Sequence, residues 1–194
     1  METTPESSGL EIGESTSNSE LETASSPDSL ELTSDGVESL DLSSERSGIN
    51  YNRLRDLLAA GNWEEANEET AERMWDVTWR QEHRWMRGRD IERLPCKDLK
   101  IIDTLWAYYS QGEFGFSVQK KIWEELGSPT GEGEDWKRFG DRVGWRSEGS
   151  WSSRSEIYST GLGEGALPLG RGWAWERGVY SLASLSRRLE DCSK

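Results

Sequence analysis

The chain has 194 residues, a formal net charge of −14, eleven tryptophans and two cysteines. Residues 1–48 hold twelve acids and one base, while residues 49–194 hold 25 acids and 22 bases, so the acidity belongs to the first segment. Neither part has the basic field that nucleic-acid binding needs, and no apolar run approaches the ~20 residues of a membrane-spanning helix.

Residues 1–48 are rich in Ser, Thr and Glu and contain no aromatic residue. Such a segment buries too little apolar surface to offset its ordering entropy, which predicts a disordered acidic tail. Its spaced leucines (Leu21, Leu30, Leu32, Leu40, Leu42) suit a solubilising tail or a docking motif that orders on a partner. It has neither the basic and apolar stretches of a secretory signal nor the Arg-rich, acid-poor composition of a transit peptide, so the protein is expected to work where it is made.

The folded domain is expected over residues 49–194, where all the tryptophans lie. Tyr51, Leu54, Leu57 and Leu58 share one helical face, and Gly61 suits the helix end. Asn62 and Glu65 have the spacing of a capping box for a second, antiparallel helix carrying Trp63, Ala66, Thr70, Met74 and Val77. Residues 83–93 are basic and irregular. Pro95 suits the first turn of a third helix lined by Leu99, Ile102, Leu105, Trp106 and Tyr109. Ser117 is placed to cap a fourth helix, Asp135 a short one, and Leu182, Leu185 and Leu189 mark the last. Cys96 and Cys192 are far apart and show no metal-binding spacing, so two thiols in a reducing compartment are the simpler expectation.

From Gly144 to Gly178 helical periodicity stops. Eight glycines and Trp145, Trp151, Trp173 and Trp175 fall in that span. A long aperiodic loop in a compact domain is functional or disordered, and the large aromatics argue against disorder. Trp63, Trp106 and Trp123, by contrast, stand at helical core positions. The loop indoles with Arg146, Arg171 and Arg177 suit a flat apolar ligand with peripheral carboxylates: indole faces cover the ring and guanidinium groups pair the carboxylates. A porphyrin, a sugar and an aromatic metabolite all remain open on these residues alone. Asp98 and Asp103 do not form a catalytic pair, His83 stands alone, and no nucleophile triad, phosphate loop or zinc spacing is present, so no enzymatic activity is expected.

One stretch adds more. Asp98-Leu99-Lys100-Ile101-Ile102-Asp103-Thr104-Leu105-Trp106, followed by Gly112-Glu113-Phe114-Gly115-Phe116-Ser117-Val118-Gln119, resembles the "genomes uncoupled" tetrapyrrole-binding family. Asn62–Thr70 and the Trp136–Arg146 block, WKRFGDRVGWR, are similar to that family as well. The resemblance implies an all-α, hand-like helical domain with a long Trp/Gly-rich loop. It implies binding of protoporphyrin IX or magnesium protoporphyrin IX in an apolar palm, and activation of magnesium chelatase through that enzyme's large porphyrin-binding subunit. It carries Phe116, Val118, Trp145 and Leu167 onto motif positions near the palm; Trp151, Arg171, Trp173 and Arg177 are added from the loop argument. It also implies the cytoplasm of a prokaryotic phototroph or a plastid stroma, with peripheral membrane association possible. The chain departs from the family at Gly165-Ala166-Leu167-Pro168, where Gly-His-Leu-Pro is usual. The alternative is a divergent helical interaction module that has kept the fold without the ligand.

Overall fold

The computed structural model describes residues 34–46, 48–169 and 178–194. The expectations for residues 1–33 and for Arg171, Trp173, Trp175 and Arg177 lie outside that range. The described residues build an all-α domain with one two-stranded hairpin.

The domain begins before residue 49, which corrects the expected tail boundary. Helix α1 (Ser34–Glu38) places Val37 in the core, and Leu40 and Leu42 pack against it. An antiparallel bridge pairs Ser43 with Asn50, and Tyr51 N–H donates to the Leu42 carbonyl at 2.9 Å. Lys97 Nζ reaches Asp41 Oδ2 at 2.7 Å, and this ammonium, with hydrogen bonds from Ser43, holds the Asp41 carboxyl well below its ordinary pKa.

Helices α2 (Asn52–Ala59) and α3 (Trp63–Val77) form a hairpin that turns at Gly61, whose φ of +69° is the left-handed conformation glycine adopts without strain. The capping box expected at Asn62 is not formed, since the Asn62 side chain makes no cap hydrogen bond. After the short α4 (Gly88–Ile91), α5 (Cys96–Tyr109) crosses the hairpin. Its Trp106 is fully buried, stacks on Trp63 at 6.0 Å and donates its indole N–H to Thr70 Oγ1 at 2.9 Å. That satisfies the one polar atom of a ring whose burial contributes ~2–3 kcal/mol. At the other end of α5, Tyr51 Oη donates to the buried Asp98 at 2.7 Å; burial raises the Tyr51 pKa and the carboxylate beside it adds to this.

Helix α6 (Phe116–Glu125) starts one residue before the expected Ser117 cap. Its first turn is capped from outside, by Asp103 Oδ1 accepting Ser117 N–H at 2.9 Å. Helix α7 (Glu134–Arg142) likewise starts at Glu134, after Gly133. The span read as one aperiodic loop contains the hairpin β1 (Arg146–Ser147) and β2 (Ser150–Trp151), with Arg146 opposite Trp151, and helix α8 (Arg154–Thr160). Ser153 and Glu156 close a full capping box on α8. Helix α9 (Gly178–Cys192) buries Val179, Leu182 and Leu185 and packs on α4, α5 and α6.

The two cysteines are not free thiols. Cys96 opens α5, Cys192 closes α9, and they are bonded to each other with a Cα–Cα distance of 5.2 Å.

Candidate functional site

The segment 165–169 is anchored from every side. Gly165 N–H donates to Glu113 O at 2.7 Å, and Gly115 N–H donates to Leu167 O at 3.0 Å. Gln119 Nε2 bonds the Gly165 and Pro168 carbonyls, each at 3.0 Å. Trp145 Nε1 donates to Ala166 O at 2.8 Å, and Asn67 Oδ1 accepts Leu169 N–H at 2.5 Å. Helices α3 and α6 and the start of the hairpin therefore hold one turn in place. A side chain at Gly165 would be strained by the φ of +76°, and its Cβ, 2.7 Å from Ile122 Cδ1, would push that side chain aside.

Two anchoring side chains keep a group unpartnered. Asn67 Nδ2 and Gln119 Oε1 are buried without a hydrogen bond, although both residues are fully covered. An unmet buried polar group costs ~1–3 kcal/mol, so a polar ligand atom or ordered water gains by reaching it.

Beside this turn lies an aromatic block. Trp136 stacks on Phe139 with ring centroids 5.1 Å apart, Trp145 meets Phe139 edge-on at 5.4 Å, and Trp151 leans on Trp136 at 5.6 Å. Trp151 packs close against α7 because Gly140 has no side chain; a Cβ there would come within 2.5 Å of the Trp151 ring. Arg146 covers Trp151 at 5.4 Å while its guanidinium bonds Asp141 at 2.9 Å.

Phe116, Trp145 and Leu167 are sealed in the core, and Val118 and Trp151 are half-buried. In this conformation the sealed trio supports the turn from beneath, and only Val118 and Trp151 of the described five offer surface. The structure brings Trp145 and Leu167 to the same turn through the Ala166 carbonyl.

A second surface lies on the loop between α3 and α4. Trp79 is 69% exposed and Trp85 42% exposed. Arg46 lies over Trp79 at 5.4 Å, Arg80 and Arg87 lie over Trp85 at 5.2 and 5.1 Å, and Arg84 lies over Trp75 at 5.1 Å. Trp79 and Arg84 have φ of +57° and +53°. Bulky side chains in the left-handed region are strained, and such strain concentrates at functional sites. The signal was legible: Trp79-Arg80 and Arg84-Trp85-Met86-Arg87 interleave indoles with bases off the helical period. Buried Met86 pegs this loop to the domain, accepting from Thr78 Oγ1 at 3.5 Å.

Among the described residues no group of three or more His, Cys, Asp or Glu side chains is placed to hold a metal ion, and no helix is long and apolar enough to cross a membrane.

A Ycf53-like protein of Synechocystis sp. is 29% identical over 126 residues, which cover 63% of this chain and 52% of that protein. A chloroplastic tetrapyrrole-binding protein of Arabidopsis thaliana is 31% identical over 99 residues, covering 49% of this chain and 34% of that one. The chain thus spans about half or less of the length of these relatives. The solved structure of GUN4 from Chlamydomonas reinhardtii superposes with a TM-score of 0.61 at 28% identity, covering 78% of this chain and 96% of that one. The GUN4-like family profile matches residues 44–184, well over half of the sequence and every described element from α2 to α8, so the chain belongs to the GUN4-like family.

Proposed function

We propose that the protein is a porphyrin-binding regulator rather than a catalyst, that it takes protoporphyrin IX or magnesium protoporphyrin IX, and that it activates magnesium chelatase through the chelatase's large porphyrin-binding subunit. The carrying observation is the set of exposed indoles lying against guanidinium groups, Trp79 with Arg46 and Trp85 with Arg80 and Arg87. A flat apolar ring with peripheral carboxylates matches both halves of that surface: the ring covers indole and the carboxylates pair guanidinium forks. Family membership supports this reading, as does the Arabidopsis relative described as tetrapyrrole-binding.

The ligand contacts are assigned to two places. One is the Trp79–Arg87 loop. The other is the anchored turn at 165–169 with Phe116, Val118, Trp145, Trp151 and Leu167, to which Arg171, Trp173 and Arg177, next in sequence, are assigned as ligand contacts. The working compartment on this reading is a phototroph's cytoplasm or a plastid stroma.

Titration with protoporphyrin IX, followed by tryptophan fluorescence, tests the binding. Quenching should saturate, and Trp79→Ala, Trp85→Ala, Arg171→Ala and Arg177→Ala should each weaken binding about tenfold, the scale of one lost ring contact or one lost charge-assisted pair of ~1.5 kcal/mol. If only the Trp79 and Trp85 variants lose binding, the second place drops out; if only the Arg171 and Arg177 variants do, the first drops out. Adding the protein to magnesium chelatase should raise the chelation rate.

A second reading is an interaction module without the ligand. It draws on an open cleft of about 770 Å³ between residues 37–43 and Tyr108–Tyr109, which suits a protein segment better than a flat ring. A parent protein that binds no porphyrin at high micromolar concentration would leave this reading standing.

A further inference from the structure

The bond between Cys96 and Cys192 fastens a part of α9 that little else holds. The first half of α9 is secured by buried Val179, Leu182 and Leu185. Beyond Ser186 the hold is thinner. Leu189 is half-buried, and Arg188 Nε donates to the Leu94 carbonyl at 2.7 Å. Arg187 pairs with Glu92, and Lys120 with Glu190 at 3.7 Å; in each pair one partner is more than half exposed, and such ion pairs contribute little. The fold has a large aromatic core of its own, unlike small domains that substitute bridges for a core. Both cysteines are half-buried rather than sealed, as attack by a thiolate from solution requires.

We propose that Cys96 and Cys192 form a reversible thiol–disulfide site, operated by a dithiol reductant, whose state sets how firmly the second half of α9 is held to α5. A thiolate of the reductant attacks one sulfur and displaces the other as thiolate, giving a mixed disulfide. The reductant's second thiol then attacks its own bonded sulfur and releases the protein. Two electrons and two protons pass to the protein, which leaves with two thiols, and the reductant leaves as a disulfide. The far end of α9 lies against the aromatic block, with the Gly178 Cβ position 2.9 Å from Trp136 Cζ2, so the helix links the redox site to that block. The porphyrin reading does not enter this inference or its test.

The test uses the full chain, mildly oxidised and then treated with dithiothreitol under native conditions. Intact mass after alkylation should show no modified thiol before reduction, two after it, and none again after reoxidation. Reduction should lower the melting temperature by about 5–15 °C, the scale for opening a long closed loop in a domain of this size. Amide exchange should quicken more over residues 187–192 than over 179–185. Cys96→Ser and Cys192→Ser should each melt like the reduced parent and ignore the reductant. The proposal is overturned if both thiols alkylate after mild oxidation, if the bond yields only once the protein is unfolded, or if melting and exchange are the same in both states.

Discussion

Trp106 and Trp79 are the same residue put to opposite uses. Trp106 has no exposed surface, a hydrogen-bonded indole N–H, and two aromatic neighbours in Trp63 and Phe114. Trp79 is 69% exposed, sits at positive φ, and has a guanidinium over its face. The first is a packing element and the second an offered surface. What separates them is whether the ring's polar edge is matched inside the protein and whether the backbone relaxes around it. A count of tryptophans says nothing about either.

The core side of that contrast should break hardest. Trp106→Ala leaves a cavity against Trp63 and strips Thr70 Oγ1 of its donor, so we expect a loss of ~3–5 kcal/mol in urea denaturation. Phe116→Ala should cost a similar ~3–5 kcal/mol, because its ring is sealed. A Phe116→Ala protein that kept its stability and lost only porphyrin binding would move that ring to the ligand surface. Gly140→Ala comes next, at ~1–3 kcal/mol, since the new methyl collides with Trp151 and must push the indole off α7; a shift in tryptophan emission should accompany the loss.

Asp103 gives a smaller effect with a defined pH signature. Burial raises its carboxyl pKa above the ordinary 3.8, although Ser117 N–H bonds it. A carboxyl raised in the folded state favours folding while protonated. That contribution is complete below about 3.8 and is lost as pH rises through the higher folded value. Asp103→Asn keeps the Oδ1 acceptor, so it should flatten this part of the stability–pH curve and change neutral-pH stability by under ~1 kcal/mol. Smallest of all is Trp79→Ala, expected within ~0.5 kcal/mol of the parent in the same denaturation. A large loss there would show that the exposed indole is a packing residue after all.

The long helices were legible because their apolar residues repeat at helical spacing, as Leu99, Ile102, Leu105 and Trp106 do on α5. Residues 34–46 were not. Val37, Leu40 and Leu42 have no period among acids, and their hold depends on distant partners such as Asn50, Tyr51 and Lys97. In the span from Gly144 the strands are two residues long, too short for an alternation to register. The Ser153–Glu156 capping box has a legible spacing, but it stands among glycines with no helical period around it. Composition could not separate Trp145 from Trp151 either. Trp145 is sealed because its indole finds the Ala166 carbonyl 21 residues on, whereas Trp151 is laid over Gly140 by a hairpin turn. The cysteine expectation failed for the same reason: a separation of 96 residues conceals side chains that meet only because the end of α9 comes to the start of α5.

That cross-link also closes the second part of the domain, from α5 onward, into a covalent ring. Everything from Cys96 to Cys192, including the anchored turn, the aromatic block and Gly165–Gly178, lies inside the loop it closes. A protease that cuts once within the ring, at residues 170–177 for example, does not release a fragment. The two pieces stay joined through sulfur, migrate as one species without reductant, and part only when the bond is opened. An apparently intact band on a non-reducing gel is therefore no proof of an intact backbone.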